Sequence, residues 1–527
     1  MTNSTLFVGG RVFTGRRYCE ALLVEEGEVL VAGTESEARR NAPAGVELRE
    51  LRGGLVIPGL IDAHFHVADV TRSREGLHLG SVTSIDGLVD ALRQWGAAHP
   101  SGSLVGRGWD PERSSGRAWP TRRDLDRAIP DRPATIVHVS GHAVIANSVA
   151  LTAAGITPTT PDPPGGRLGR DPDGTPDGRV FEAAVRSLIG RPDDLDLPEG
   201  AALRRTMQWA ATLGLTTLGA MSAAPEEALA LRQLAFSGTL PGRVRIYLHG
   251  SRWEEYYRTP SASGGPPGRF AVVGVKEYID GAFGPRTAWL SEAYADDPGS
   301  TGMPVESDDR LRALLESCTK RGLSPALHAI GDRALEYCLE LLAGFPEPSG
   351  PPVRVEHAAL TPPSLFAALA RVRPALVVQP GFVWSDHWLG ARLGPARARW
   401  AYAFRSLQQQ GHLLAGSSDA PYDPVDPWRG IRAAVQRTDP EGRSANPTPE
   451  EALGPEEAIR LYTANGGAAL GEPSLGLLEP GSPADLVLVG SPTLEVAIER
   501  GRAAVRETWV AGVRIAAGPE RRDRETV

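Results

Sequence analysis

The chain has 527 residues, of which 41% are hydrophobic and 23% charged, and its formal net charge is −8. This length exceeds one minimal domain, and the composition supports a packed core rather than wholesale disorder. Its charges are mixed and form no basic stripe, so we expect no nucleic acid partner. With no run of 18 apolar residues and no signal-like start, we also expect no membrane contact and a cytoplasmic location.

Both ends of the chain have the pattern of antiparallel β-structure. Apolar runs at 6–8, 21–24 and 29–32 alternate with glycine-containing turns near the start, and the runs at 484–489 and 507–510 resemble them. The two ends therefore predict one composite β-sandwich domain, made of residues 1–57 and 475–527.

The middle of the chain, residues 58–474, alternates strand-like and helix-like segments and predicts an α/β fold, a (β/α)8 TIM barrel. Residues 67–213 are too long for one βα connection, so they predict a large insertion after the first barrel strand, with strands of its own at 104–109 and 135–139. The eight predicted barrel strands are 60–66, 215–220, 244–249, 271–279, 324–330, 353–357, 375–379 and 413–417.

The first barrel strand ends in a pair of histidines, His64 and His66, within VIPGLIDAHFH. Residues i and i+2 of a strand point to the same side, so both imidazoles can project into the barrel and bind one metal ion. A pair of buried, hydrogen-bonded histidines is the alternative for this motif alone.

Three more polar residues, His328, His357 and Asp419, follow later strands at their C-terminal ends. The C-terminal end of the strands is the catalytic face of a TIM barrel. Four histidines and one carboxylate converging on that face predict a divalent transition-metal site.

A lysine, Lys276, lies inside the fourth predicted strand. Burying a lysine is costly unless its amine is paired or modified. One interpretation is a salt bridge to Glu277 or Asp280. The other is a carbamate, formed with carbon dioxide, that places a carboxylate-like ligand between two metal ions.

A series of motifs spanning essentially the whole chain resembles the amidohydrolase superfamily, in particular the branch, amidohydrolase family 3, that includes the N-substituted formamide deformylases. The resemblance implies a distorted (β/α)8 barrel with a β-sandwich made from both termini. The motifs, in chain order, are VIPGLIDAHFH, GWDPE, SGHAVIANSVAL, VKEYIDGAFGPRTAWL, HAIGDRAL, RVEHA, GSSDAP and LLEPGSPADLVLV.

The same resemblance implies a metal centre of two ions per chain, zinc or another divalent transition metal. By this likeness, His64 and His66 are ligands of the more buried ion, and His328 and His357 are ligands of the second. Lys276 is then the carbamylated ligand that bridges the two ions.

The activity implied is that of a hydrolase that cleaves a non-peptide carbon–nitrogen bond, in an amide or N-substituted formamide, by metal-activated hydroxide. Asp419 is the ligand that also accepts the proton of the water and passes it to the leaving nitrogen. His142, in the insertion, is a second catalytic candidate that can add a donor for the oxyanion. Loop packing is the alternative role for His142.

The substrate pocket should be formed by the βα loops and the insertion. Two tryptophans after the seventh strand, Trp384 and Trp388, could line an aromatic pocket, with Trp109 and Arg286 as further wall residues. Ordinary packing, or an ion pair for Arg286, is the alternative. The loop after the fourth strand reads DGAFGPRTA where a serine-rich version is expected, which leaves the substrate open.

Other functions remain to be weighed. A cyclic amide, ester or lactone hydrolase would use the same centre, whereas Lys276 disfavours a mononuclear deaminase. A non-catalytic barrel that binds metal or a small molecule is disfavoured because Asp419 would then have no proton to handle. We expect a small-molecule, amide-like substrate as partner, and a homodimer is compatible with the sequence.

Overall fold

The computed structural model describes residues 4–185, 198–259, 268–345 and 350–519. In chain order, the strands are β1 (Ser4–Val8), β2 (Arg11–Phe13), β3 (Tyr18–Cys19), β4 (Ala21–Glu25), β5 (Glu28–Gly33), β6 (Glu47–Glu50), β7 (Leu55–Pro58), β8 (Leu60–Phe65), β9 (Leu77–His78), β10 (Leu104–Trp109), β11 (Ala134–His138), β12 (Ala143–Ala146), β13 (Gly166–Arg170), β14 (Pro176–Glu182), β15 (Leu215–Ala223), β16 (Arg243–His249), β17 (Phe270–Tyr278), β18 (Ser324–Ala329), β19 (Arg354–His357), β20 (Ala375–Val378), β21 (Leu414–Gly416), β22 (Leu486–Val489), β23 (Val505–Val510) and β24 (Val513–Ala517).

The α-helices lie mostly between these strands and after the barrel. They are Glu35–Asn41, Val67–Glu75, Ile85–Ala98, Arg122–Ala128, Ser148–Ala153, Gly200–Thr212, Pro225–Phe236, Trp253–Arg258, Asp308–Arg321, Asp332–Leu342, Phe366–Val372, Phe382–Ser385, Leu389–Leu393, Pro395–Ala398, Phe404–Gln409, Pro427–Gln436, Pro455–Leu461, Ala464–Ala469 and Leu494–Arg500.

Eight parallel strands form the central sheet, in the order β21-β20-β19-β18-β17-β16-β15-β8. Strands of a parallel barrel are covered on both faces, which is why β18 and β19 are buried at every residue. All eight predicted barrel strands are present, with ends that agree within three residues. The prediction of a (β/α)8 barrel is therefore confirmed.

The first and last barrel strands meet at their carboxyl ends. The backbone N–H of Asp419 donates to the carbonyl of His64 at 2.9 Å, and that of His66 donates to the carbonyl of Ala420 at 3.0 Å. These two hydrogen bonds hold the turn after β21 against the end of β8. The closure of the barrel therefore brings three of the predicted metal ligands together.

The two ends of the chain build two further sheets. One has the order β5-β4-β1-β6, and the other, β24-β23-β22-β7-β2-β3, joins strands from both termini. Their shared core includes Phe7 and Trp509, whose rings pack edge to face at 5.4 Å. The exact boundaries, 1–57 and 475–527, stay a prediction, and residues 1–3 and 520–527 lie outside the described residues.

The insertion carries a sheet of its own, in the order β13-β14-β12-β11-β10-β9. Its strands β10 and β11 correspond to the predicted strands at 104–109 and 135–139, the second shifted by one residue. Residues 186–197 of the predicted insertion lie outside the described residues. The ends of β11 and β14 bring His142 and Glu182 to the carboxyl face of the barrel, where both line a cavity.

Among the described residues, no helix is both long enough and apolar enough to span a membrane.

Candidate metal centre

The end of β8 presents His64 and His66 to the carboxylate of Asp419. Asp419 Oδ1 lies 3.1 Å from Nε2 of His64 and 3.1 Å from Nε2 of His66. All three residues are buried. Two imidazoles and one carboxylate thus point at the same small volume, as the spacing of the two histidines predicted.

His357 and His328 lie next to this group, at the ends of β19 and β18. The ring centroids of His328 and His357 are 4.4 Å apart, and those of His64 and His357 are 5.1 Å apart. One ligand atom from each of His64, His357 and Asp419 lies within 4.8 Å of the others. This is a compact set of nitrogen and oxygen donors, which suits a divalent transition metal.

Three of the four histidines, His64, His328 and His357, have one ring nitrogen held by a neighbour, which orients the other ring nitrogen. Nδ1 of His64 lies 2.6 Å from Glu356, and Nδ1 of His357 lies 2.7 Å from the side-chain oxygen of Gln379. Nε2 of His328 lies 2.9 Å from the carbonyl of Gly281. Such outer contacts fix the tautomer and ring orientation of metal-binding histidines.

The histidines of this centre differ in the direction of their pKa shifts. Burial lowers the pKa of His357 to about 3 and that of His328 well below its ordinary value, so both rings are neutral. Burial also disfavours the charged form of His64, but Asp419 and Glu356 together raise its pKa to about 9. The neutral rings of His328 and His357 can bind a metal cation directly, whereas His64 would release its proton when a metal ion binds.

Lys276 is fully buried near the carboxyl end of β17. Its Nζ lies 3.5 Å from the ring centroid of Tyr278 and has no hydrogen-bond partner within the described ranges. Neither of the predicted salt bridges is present: Glu277 pairs with Arg310, and Asp280 accepts backbone N–H groups of Ile330 and Gly331. An unpaired buried amine beside metal-type ligands fits a lysine that is modified when metal is bound.

The metal-type ligands face a cavity of two connected parts. The larger part, here called the large chamber, has a volume of about 400 Å³. The smaller part has a volume of about 100 Å³ and is called the aromatic chamber, because Trp119, Phe283, Phe382, Trp388 and Tyr402 are in its walls. Both chambers have His142, His328, His357, Asp419 and Tyr422 in their walls. The candidate centre therefore lies where the two chambers meet.

His142 reaches this cavity from the insertion. Its ring centroid lies 5.1 Å from that of His328, and its Nδ1 lies 2.9 Å from the carboxylate of Glu182. Burial opposes protonation of His142, but Glu182 raises its pKa above the ordinary value. The Glu182 side chain is in turn hydrogen-bonded by the hydroxyl of Thr287. The imidazole is thus held in one orientation at the edge of the site.

The four residues predicted to contact substrate lie in different environments in the structure. Trp388 lines the aromatic chamber, but the other three residues line neither chamber. Trp109 is fully buried in the core of the insertion, and Arg286 pairs with Asp296 at 2.8 Å. Trp384 is buried against the guanidinium groups of Arg429 and Arg432.

Several supporting residues were not assigned a role from the sequence. Asp62 accepts hydrogen bonds from the backbone and the hydroxyl of Ser418, at 3.0 and 2.6 Å, and so fixes the turn that carries Asp419. Glu356 is held by Arg354 at 2.8 Å; burial raises its pKa, but Arg354 and His64 lower it to about 2. Asp62 could have been found from the strand period, because it shares a side with His64.

Clustered histidines and an aspartate at the carboxyl face of a TIM barrel form a site of the type that metal-dependent hydrolases use. A family model described as amidohydrolase family matches residues 47–516 of this chain. The chain therefore belongs to the amidohydrolase family, and the resemblance found in the motifs is confirmed.

Individual relatives agree with this assignment. The Bacillus subtilis protein YtcJ, named as an amidohydrolase, is 35% identical over 507 residues, which cover 92% of this chain and 94% of the relative. The N-substituted formamide deformylase of Arthrobacter pascens is 27% identical, and the alignment covers 95% of this chain and 96% of the relative. The crystal structure of an uncharacterized metal-dependent hydrolase from Pyrococcus horikoshii superposes with a TM-score of 0.76 at 28% identity, covering 94% of this chain and 99% of that one.

Proposed function

We propose that this protein hydrolyses the carbon–nitrogen bond of a non-peptide amide, an N-substituted formamide included, at a centre of two zinc-type ions. The observation that carries the proposal is the buried, unpaired Lys276 beside four histidines and Asp419. A carbamate on that lysine supports a binuclear centre of the kind used by hydrolases rather than a mononuclear deaminase. The deformylase relative supports the choice of amide. The cytoplasm as location, a small amide-like substrate and a homodimer belong to the same proposal.

The chain's own residues can perform the proton transfers of amide hydrolysis. When bound, divalent metal ions supply Lewis acidity and lower the pKa of water to about 7. Asp419, at the junction of the two chambers, can accept a proton from the attacking water and deliver it to the leaving nitrogen. Without this proton the leaving nitrogen would depart as a deprotonated amine, RNH⁻, which is a poor leaving group.

His142 supports the charge that develops on the substrate carbonyl oxygen. With Nδ1 turned to Glu182, its other ring nitrogen remains for the substrate, and Glu182 favours the protonated ring that donates there. A fixed donor of this kind stabilises an oxyanion more than it stabilises the neutral carbonyl.

Replacing His142 by alanine should lower kcat by about 100-fold, the typical loss for one oxyanion donor. Glu182→Gln should cause a smaller loss, since the glutamine oxygen can still accept from Nδ1 but does not favour the charged ring. Both variants should keep the metal content of the wild-type protein, as measured by elemental analysis alongside kcat. An unchanged kcat in His142→Ala would leave that residue with a packing role.

Protein purified without chelators should contain two equivalents of a transition metal, zinc by preference, per chain. Chelation should abolish hydrolysis, and added zinc should restore it. Elemental analysis together with activity measures this directly. Retention of full activity by protein free of stoichiometric metal would contradict the metal-dependent mechanism.

The reaction itself can be tested by incubating the metal-loaded enzyme with N-formyl, N-acetyl and cyclic amides and with lactones, while released amine or acid is quantified. We expect turnover of the open-chain amides with release of one amine per bond cleaved. Turnover confined to cyclic amides or lactones would favour the alternative hydrolase.

A further inference from the structure

The aromatic chamber is the smaller part of the cavity and adjoins the metal-type ligands. It lies between the insertion and the loops after β17 and β20, and its volume is about 100 Å³. His328, His357 and Asp419 form one end, so a group attached to the reacting amide can enter it. Its tryptophan, tyrosine and phenylalanine wall residues are Trp119, Phe283, Phe382, Trp388, Tyr402 and Tyr422.

Besides Asp419 at one end, three carboxylates line this chamber: Asp110, Asp386 and Glu112, of which Glu112 pairs with Arg392. Asp386 accepts a hydrogen bond from the Tyr402 hydroxyl at 2.6 Å, and Asp110 accepts one from the backbone N–H of Glu112 at 2.9 Å. Within the described ranges, neither aspartate forms a salt bridge. The chamber thus combines aromatic walls with two carboxylates, Asp110 and Asp386, that have no salt-bridge partner among the described residues.

Two arginines near these aspartates, Arg392 and Arg429, pair with other carboxylates. Arg392 pairs with Glu112 at 2.5 Å and with Asp296 at 2.9 Å, and Arg429 pairs with Asp423. Burial raises the pKa of Asp386 to about 7 and also raises that of Asp110. Desolvation is the main cause of both shifts; Arg392 opposes it at Asp386, and Arg113 and His387 oppose it at Asp110.

The kind of group that suits this chamber follows from the cost of desolvation. A neutral hydrocarbon group would strip the remaining water from two carboxylates and offer them no hydrogen bond. An ammonium group would pair with the carboxylates, and the faces of tryptophan, tyrosine and phenylalanine rings attract cations. Arg392 already places its guanidinium 5.0 Å from the ring centroid of Trp388.

We infer that the aromatic chamber binds an alkylammonium group of the substrate, with Asp386 and Asp110 as its counter-charges. The substrate class is then an N-acylated or N-formylated diamine, which has its amide at the metal centre and its free, protonated amine in the chamber. This inference rests on the proposed function, because it specifies the substrate of the same site.

Matched substrates test the inference by turnover. Each N-formyl diamine with two to five methylenes is compared with the N-formyl alkylamine in which a methyl group replaces the ammonium. At the best length, the ammonium compound should have a kcat/KM about 10-fold or more above that of its neutral partner. Asp386→Asn, which keeps an oxygen for Tyr402, should remove most of this preference, and Asp110→Asn should reduce it.

The control is Asp90→Asn, the same change at an exposed aspartate on another part of the insertion, which should keep the full preference. Hydrolysis of both series at equal kcat/KM would overturn the inference while leaving the proposed function intact. A preference that survives in the Asp386→Asn, Asp110→Asn double variant would overturn it as well.

A binding measurement separates the chamber from the reaction. Calorimetry on the metal-loaded protein compares choline with 3,3-dimethyl-1-butanol, its neutral isostere. Choline should bind about 10-fold more tightly, and Asp386→Asn should abolish the difference. This outcome would support an alkylammonium-binding site in the aromatic chamber even if the protein hydrolysed no amide. Equal binding of the two compounds, or no binding of either, would overturn the inference.

Discussion

Replacing Asp419 by asparagine should lower kcat by about 100- to 10,000-fold, the range for losing a general acid–base group, while the metal content stays close to that of the wild-type protein. The asparagine oxygen can still ligate a metal, but an amide cannot take up the proton of water. Measuring kcat together with metal equivalents per chain separates these two roles.

The backbone around Asp419 makes this substitution a clean test. Asp419 has a φ of 59°, a left-handed conformation that asparagine tolerates as well as aspartate does. Its N–H bond to the carbonyl of His64 involves the backbone only and is kept. The matched control, Asp309→Asn at the exposed start of helix Asp308–Arg321, should keep full activity. Near-normal turnover in Asp419→Asn with full metal loading would assign the proton transfer to another group, and His142 would be the next to test.

The barrel could be predicted from the sequence because its strands are buried on both faces. A strand such as β20, ALVV, has no polar face, and turn residues mark its ends. The position of a polar residue at the end of such a strand then places it on the catalytic face without any tertiary information. Position at a strand end therefore suffices to predict that His64, His66, His328 and His357 lie on the catalytic face.

The supporting contacts could not be predicted in the same way. Glu356 lies 292 residues from His64 along the chain, and Glu182 lies 40 residues from His142. Both pairs form only when the barrel closes and the insertion packs on its mouth. The sequence predicts that Glu356 lies near a strand end, but it does not show which histidine this carboxylate orients.

The direction in which each tryptophan side chain points could not be predicted from the sequence, for a related reason. An aromatic residue at a strand end or in a loop can turn toward a cavity or toward a core, and its bulk favours either environment equally. Trp109 turned into the core of the insertion, whereas Trp388 faces the aromatic chamber. The acidic residues of that chamber, Asp110 and Asp386, are far apart in sequence and could not be paired from the sequence alone.

Composition adds to the signal that Lys276 gives by its position inside a barrel strand. The chain has 56 lysines and arginines, but the only lysines are Lys276 and Lys320. Where arginine serves for almost every other positive charge, a lysine buried in a barrel strand points to chemistry that a guanidinium cannot perform. Attack of a neutral amine on carbon dioxide, with loss of a proton, gives a carbamate with two oxygen ligands.

Replacing Lys276 by alanine should therefore remove at least one of the two metal ions and lower kcat by at least about 100-fold, since each ion contributes several kcal/mol of charge stabilisation in the transition state. Propionate, which can place a carboxylate in the space left by the lysine side chain, should restore part of the metal content and part of kcat. In the metal-loaded wild-type protein, ¹³C-bicarbonate should give a carbamate resonance that Lys276→Ala lacks. The exposed Lys320 supplies the control, and Lys320→Ala should keep the resonance and both ions. If wild-type protein bound two metal ions but gave no carbamate resonance with ¹³C-bicarbonate, the ligand shared by the ions would be another group. The unpaired amine of Lys276 would then need a partner from the substrate.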